Sequence, residues 1–328
     1  MRRTLHTSVG ALLCMATSAC SADLGQEVSN VDEDGRGEVL LMVTVDWEGD
    51  DLADDNLDAM AAMRDRFELV PLVHFLNAAY FTKPGANAED VQRRTARVLR
   101  DHDELGLHIH GWKSLFEASG VEFRNSPTFW GGTVPSYRCS YDCGHDVPIS
   151  EYAVDELRSV IQLSIDELGA AGFGRAMSFR AGGWMAAPNV REALAAEGLR
   201  VDSSAVAAYF LEDEIGDTDL YRWVDALWGG TDSTSQPYPL DGLTEVPDNG
   251  ALADYVTADE MYSVYLDAKE LLAAEPTEDV VVNIGFHQET AARYLHRVEA
   301  ALALMFEDAE ANDVPLRPTT MSLGSPER

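Results

Sequence analysis

From Val39 onward, short apolar runs rich in β-branched residues alternate with stretches of helical periodicity, and this alternation narrows the possible folds more than any other feature of the chain. Strands are expected at Val39–Val45, Leu69–Phe75, Leu105–Ile109, Ala176–Phe179, Leu199–Val201, Leu243–Val246 and Val280–Phe286. Helices are expected at Asp55–Arg66, Ala88–His102, Glu151–Leu168, Asn189–Glu197, Ala258–Ala274 and Thr290–Asn312, with Ser150 and Asp259 as caps. A chain that returns through a helix after each strand lays its strands parallel. The expected fold class is therefore α/β: an irregular, TIM-like (β/α) barrel of about seven or eight units. Functional groups belong at the C-terminal ends of the strands in such a barrel. Two stretches interrupt the rhythm, 113–147 and 205–242, and both are expected as long loops over those ends.

Those strand ends carry the chemistry. The first is followed by Thr44-Val45-Asp46-Trp47-Glu48-Gly49, where Asp46 and Glu48, two residues apart, share one face of an extended chain. The third ends in His108-Ile109-His110-Gly111-Trp112, which puts two imidazoles on one face at a spacing that suits one divalent ion. Phe179-Arg180-Ala181-Gly182-Gly183-Trp184, Val201-Asp202-Ser203-Ser204 and Gly285-Phe286-His287-Gln288-Glu289 each follow a strand candidate. Singly, these are an ion-paired turn, a helix cap and a loop histidine; as an ordered set they point to a metal-assisted hydrolase.

In that order the motifs resemble those of the polysaccharide deacetylases, carbohydrate esterase family four or NodB-homology group, over roughly residues 39–320. The resemblance implies Asp46 as the catalytic base, Arg180 as its brace and His287 as the acid. It implies Glu48, His108 and His110 as ligands of a divalent metal, zinc being the expected ion, and an N- or O-acetylated glycan as substrate. Trp112, Trp184 and Asp202 are the expected substrate contacts. The chain departs from the family pattern in three places: Thr-Val-Asp-Trp-Glu-Gly replaces the common Thr-Phe-Asp-Asp-Gly, H-x-H replaces H-x-x-x-H with Trp112 at the place of the second His, and a Pro is missing from the third motif. It therefore reads as a divergent branch, with His74 and His145 as alternatives to His110. Two rival functions share these features: hydrolysis of other C–N bonds on the same fold, and glycan binding at the cell surface without turnover. Binding alone would require neither an acid nor a base.

The N-terminus sets the expected location. Arg2 and Arg3 precede an apolar run, Val9–Ala16, too short to span a bilayer, so residues 1–20 read as an export signal. Thr17-Ser18-Ala19-Cys20 looks like a lipoprotein cleavage box with Cys20 acylated; ordinary cleavage after Ala19 is the alternative. Residues 21–38 read as an acidic tether and 39–328 as the catalytic barrel. Of four Cys, Cys14 leaves with the signal, and the expected disulfide joins Cys139 to Cys143, a metal pair with His145 being the other possibility. With 57 acidic against 24 basic side chains, net charge −33, the chain would be repelled by nucleic acid and by an anionic membrane surface. Membrane contact is expected only through the lipid anchor.

Overall fold

The structure, a computed structural model, describes residues 35–323. The export signal, Cys20 and residues 21–34 of the tether lie outside the described residues. Nine strands form one sheet: β1 (Val39–Asp46), β2 (Val73–Asn77), β3 (Glu104–Ile109), β4 (Ser178–Ala181), β5 (Val201–Asp202), β6 (Tyr238–Leu240), β7 (Leu243–Glu245), β8 (Val280–His287) and β9 (Leu316–Thr319). Their spatial order is β6-β7-β5-β4-β3-β2-β1-β8, with β9 beside the first half of β1. Every pairing is parallel except β6 with β7. No described helix is long and apolar enough to cross a membrane.

Side-chain alternation separates two cores. Leu40 and Met42 of β1, Val73 and Phe75 of β2, Val201 of β5, Val281 of β8, Val246 and Met321 meet in one cluster, although β5 is not a neighbour of β1 or β8 in the sheet. That meeting requires a curled sheet, and this cluster fills its hollow. The intervening residues Val39, Leu41, Val43 and Val45 face the helix layer. Both faces being buried explains why β1 and β8 read as continuous apolar runs.

Strand pairing does not close the barrel. Between β7 and β8 the gap is spanned by an irregular segment: Gly250 N donates to Asn283 O (2.9 Å), Gly285 N to Ala251 O (3.1 Å) and Ala253 N to Gly285 O (2.8 Å). The Asn249 side chain stands in for a further strand residue, accepting from Asn283 N (2.9 Å) and donating to Val281 O (3.0 Å).

The helix Ala258–Ala274 has the expected bounds, but Thr257, not Asp259, caps it by accepting from Glu260 N. The helix expected from Glu151 begins at Val154, where the Glu156 carboxylate accepts from Ala153 N (2.7 Å). The helix from Ala88 ends at Thr95 rather than His102, because the Asp103 carboxylate draws Arg100 N into a turn (2.7 Å). Within 205–242, expected as loop, Asp219–Trp228 is a helix capped by Thr218. Within 113–147, Lys113–Ala118 is helical and a disulfide joins Cys139 to Cys143.

Candidate metal centre and active site

Inward-facing positions at the strand ends converge on Glu48. Asp46 ends β1 on the hollow side, Trp47 turns outward into the helix layer, and Glu48 turns back in. Gly49, at φ +81°, then reverses the chain where a side chain would strike Asn77. Trp47 is pinned by its Nε1–H donating to His74 Nδ1 (3.2 Å). The Glu48 carbonyl accepts from Trp112 Nε1 (2.7 Å) and Asn77 Nδ2 (3.0 Å).

Four imidazoles surround the Glu48 carboxylate. His110 Nε2 and His145 Nε2 lie 2.8 and 2.5 Å from Oε2; His108 Nε2 and His287 Nε2 lie 3.3 and 3.6 Å from Oε1. Each ring is held from behind through Nδ1: His108 on Arg180 O (2.7 Å), His110 on His145 O (2.8 Å), His145 on Asp146 Oδ1 (3.1 Å) and His287 on Asp254 Oδ2 (3.0 Å). This is the outer-shell pattern that fixes metal-binding histidines. The His110 ring fits because residue 182 is glycine; a Cβ there would lie 2.6 Å from it.

The protonation pattern tests whether a cation fits. Burial drives His110 down to about 4, outweighing the attraction of Glu48, so at neutral pH its ring is uncharged. Its Nδ1 faces a carbonyl and must carry the hydrogen. Nε2 therefore presents a lone pair to a carboxylate oxygen, and it is a buried atom with no hydrogen-bond partner. Two acceptors 2.8 Å apart are reconciled by a cation between them, so the residues present fit a divalent metal. The ligand atoms of Glu48, His110 and His145 lie within 4.8 Å of one another, as do those of Asp46, Glu48 and His287. His108 touches only the Oε1 side, so the two strand histidines stand on different carboxylate oxygens.

Elsewhere the charges are matched. Burial pushes Glu48 upward, but the imidazoles around it, the charge of His287 and the contact with His108 among them, outweigh it and hold the carboxyl well below the usual range. Burial lowers His145 and His287, yet Asp146 with Glu48, and Asp254 with Glu48, bring each to about 10. Asp46 is met by Arg180 Nη1 (3.1 Å), a guanidinium fully buried among Thr44 Oγ1, Ser203 O and Ser203 Oγ.

The expected substrate contacts divide. Trp112 lines a cavity of about 570 Å³ above Glu48, and Trp184, at φ +58°, lines a smaller one of about 60 Å³ beside Asp46. Asp202 is a correction. Val201 belongs to the hollow and Ser203 bonds Arg180, so alternation sends Asp202 to the opposite face, fully buried against Glu245. It cannot touch a ligand at the mouth. His74 likewise points outward, between Trp47 and Asp103 (3.3 Å), and is not near Glu48's carboxylate. Asp254, Asp146 and Glu289, whose carboxylate accepts from the backbone of Glu48 (3.1 Å) and Asp50 (3.3 Å), were not singled out by sequence. Only the acidic residue directly after His145 gave a local signal.

The two cavities share Glu48, His145, Asp146, Tyr255 and His287, so they adjoin at the Glu48 carboxylate, a wide vestibule beside a small inner chamber. Phe129, Trp184, Leu220 and Leu252 wall the chamber.

No protein family's sequence profile matches the chain, and no curated protein matches it. Solved structures do. A provisionally assigned polysaccharide deacetylase from Mycobacterium smegmatis is 14% identical with TM-score 0.49, over 89% of this chain and 90% of that one. A family 4 carbohydrate esterase from Streptomyces lividans, in complex with acetate, is 12% identical with TM-score 0.40, over 88% and 95%. Puue allantoinase is 14% identical with TM-score 0.48, over 87% and 88%.

Proposed function

We propose that this chain is a metal-dependent hydrolase that removes acetyl groups from N- or O-acetylated sugars of a glycan. The observation that carries the reading is the inner chamber. Its volume of about 60 Å³ admits a group of only a few heavy atoms, apolar side chains form one side of it, and it opens on Asp46, Glu48 and all four histidines at once. An acetyl methyl suits that side, and its carbonyl carbon would lie among the charged groups. The vestibule above, with exposed Tyr141 on its rim and Trp130 (55% exposed) beside the chamber, suits sugar rings, which stack on aromatic faces.

Glu48, His110 and His145, with His108 on the far carboxylate oxygen, are the residues that would hold the ion. When bound, a divalent cation supplies Lewis acidity toward an acyl oxygen and lowers the pKa of water. Asp46 accepts the proton of the attacking water at its carboxylate, which Arg180 holds in place. His287 carries a proton on Nε2, facing the site, because Asp254 engages Nδ1; it delivers that proton to the departing nitrogen or oxygen. Arg180 is itself fixed by Ser203 and Thr44, so the base cannot swing away from the chamber.

The test is acetate release from a panel of acetylated oligosaccharides, N-linked and O-linked, against cyclic and small linear amides. Acetate from a glycan, lost on chelation and restored by Zn²⁺, supports the reading. Turnover of small amides alone would favour the other C–N hydrolases, and glycan binding without turnover would favour a lectin. Export and lipidation at Cys20 are part of the same proposal; mass analysis of the mature N-terminus tests them.

A further inference from the structure

The two carboxylate oxygens of Glu48 face different partners. Oε2 faces His110 and His145; Oε1 faces His108 and His287, with Asp46 beside it. That is more donors than one tetrahedral ion uses. Asp46, Glu48 and His287 bring their ligand atoms within 4.8 Å of one another, apart from the group on Oε2. A bidentate carboxylate between two such groups is the arrangement that bridges paired ions about 3.5–4 Å apart.

We propose that Asp46, Glu48 Oε1 and His287 form a second divalent-cation site, weaker than the first and inhibitory when filled. The inhibitory part rests on the hydrolase reading above; the site itself does not. Two features rank the sites. The Oε2 group offers two imidazoles and one carboxylate, a set that suits Zn²⁺, whereas the Oε1 group adds a second carboxylate, Asp46, to its imidazoles, a harder set with less preference for zinc. Arg180, with Nη1 3.1 Å from Asp46, also places a fixed positive charge against any cation bound there. The second ion therefore enters only after the first site is full.

Its effect follows from which atoms it occupies. An ion on Asp46 takes the lone pair that would receive the water proton, and an ion on His287 Nε2 displaces the proton that would go to the leaving group. Nothing in the fold needs to move. Activity should rise with Zn²⁺ until one ion is bound per chain, then fall as the second binds.

The experiment is equilibrium dialysis of metal-stripped protein against Zn²⁺ in high KCl, which screens the many surface carboxylates, with the bound zinc counted by mass spectrometry. Two ions per chain with separate affinities are expected, falling to one in both His287→Ala and Asp46→Asn, while His145→Ala loses the tighter ion. Near-ultraviolet circular dichroism checks that each variant is folded; should His287→Ala not fold, His287→Gln replaces it. Saturation of the wild type at one ion would overturn the proposal, as would a second ion that survives both substitutions. No acetate release from any glycan at any zinc loading, one ion per chain included, would leave the site standing and sink the hydrolase reading instead. Acetate release that never declines while the second ion fills would retain the site and overturn its inhibitory role.

Discussion

Two buried glutamates, Glu48 at the mouth and Glu245 in the wall, meet opposite fates. Around Glu48 four imidazoles converge, and the carboxyl is held well below its usual range although burial opposes it. Glu245 has burial and the nearby Asp202 acting in the same direction, and its carboxyl is pushed well above the usual range. Asp202 is raised to about 6 by burial. The two wall residues lie opposite each other in the β5–β7 register, and neither Asp202 Oδ2 nor Glu245 Oε2 has another hydrogen-bond partner. One proton between them satisfies both. Burial beside a second acid thus pushes a glutamic acid toward its neutral form; a carboxylate ready for chemistry needs imidazoles built around it, which reach the mouth from the ends of β3 and β8 and from the disulfide loop.

The largest effect should come from removing the charge at the mouth. Glu48→Gln keeps the shape but not the anion, and metal content measured after dialysis should fall by at least about 10-fold, the lower end for disturbing a metal's supporting groups. Acetate release should fall with it. If the variant retained full metal and activity, Glu48 would be no more than a structural acid like Glu245. Next come Asp46→Asn and His287→Ala, each expected to lower kcat by roughly 100-fold or more, the scale for losing a general base or acid. Near wild-type kcat in either would remove that residue from the mechanism. Smaller again is Trp130→Ala, which removes an exposed ring from the rim: KM for a glycan should rise several-fold with kcat unchanged, read from initial rates, and an unchanged KM would take Trp130 out of the binding surface.

Much of this contrast was legible in the sequence, for identifiable reasons. Strands β1, β3 and β8 are six to eight residues long and buried on both faces, so their apolar runs and the parity of Asp46, His108 and His287 could be read directly. Strand β5 has two residues, too few for any period to show, and so the direction of Asp202 was misjudged. His145 comes from the disulfide-bearing loop, where no periodicity fixes a direction; only the fold brings it to Glu48. Strand β9 contains Pro318, which argues against a strand, but it lies off the main path beside β1, where the missing N–H costs little. The helix Asp219–Trp228 was hidden by the Gly, Ser and Pro that follow it, although Thr218 is a capping residue.

The smallest expected effect tests the wall, and its sign follows from proton linkage. Glu245 binds its proton more tightly in the folded chain than in the unfolded one, where a glutamate titrates near about 4.3. Between that value and the folded pKa, the native state holds a proton that the unfolded state has released. Stability from this group is therefore full below about pH 4.3 and is lost as pH rises through the folded pKa. Asp202, raised to about 6, acts in the same direction over the window from about 3.9 to 6. Glu245→Gln keeps the hydrogen-bonding shape without a titrating proton, its amide able to donate to Asp202 while its oxygen still accepts from Ala205 N, as Oε1 does at 2.7 Å. Thermal unfolding midpoints of wild type and variant should draw together in acid, and the variant should gain progressively as pH rises from about 4.3 through the folded pKa of Glu245. Metal content and kcat should not change, because the pair faces away from the hollow. A variant whose stability ran parallel to wild type across the whole pH range would mean that the wall pair carries no shared proton, and the contrast between the two glutamates would fail.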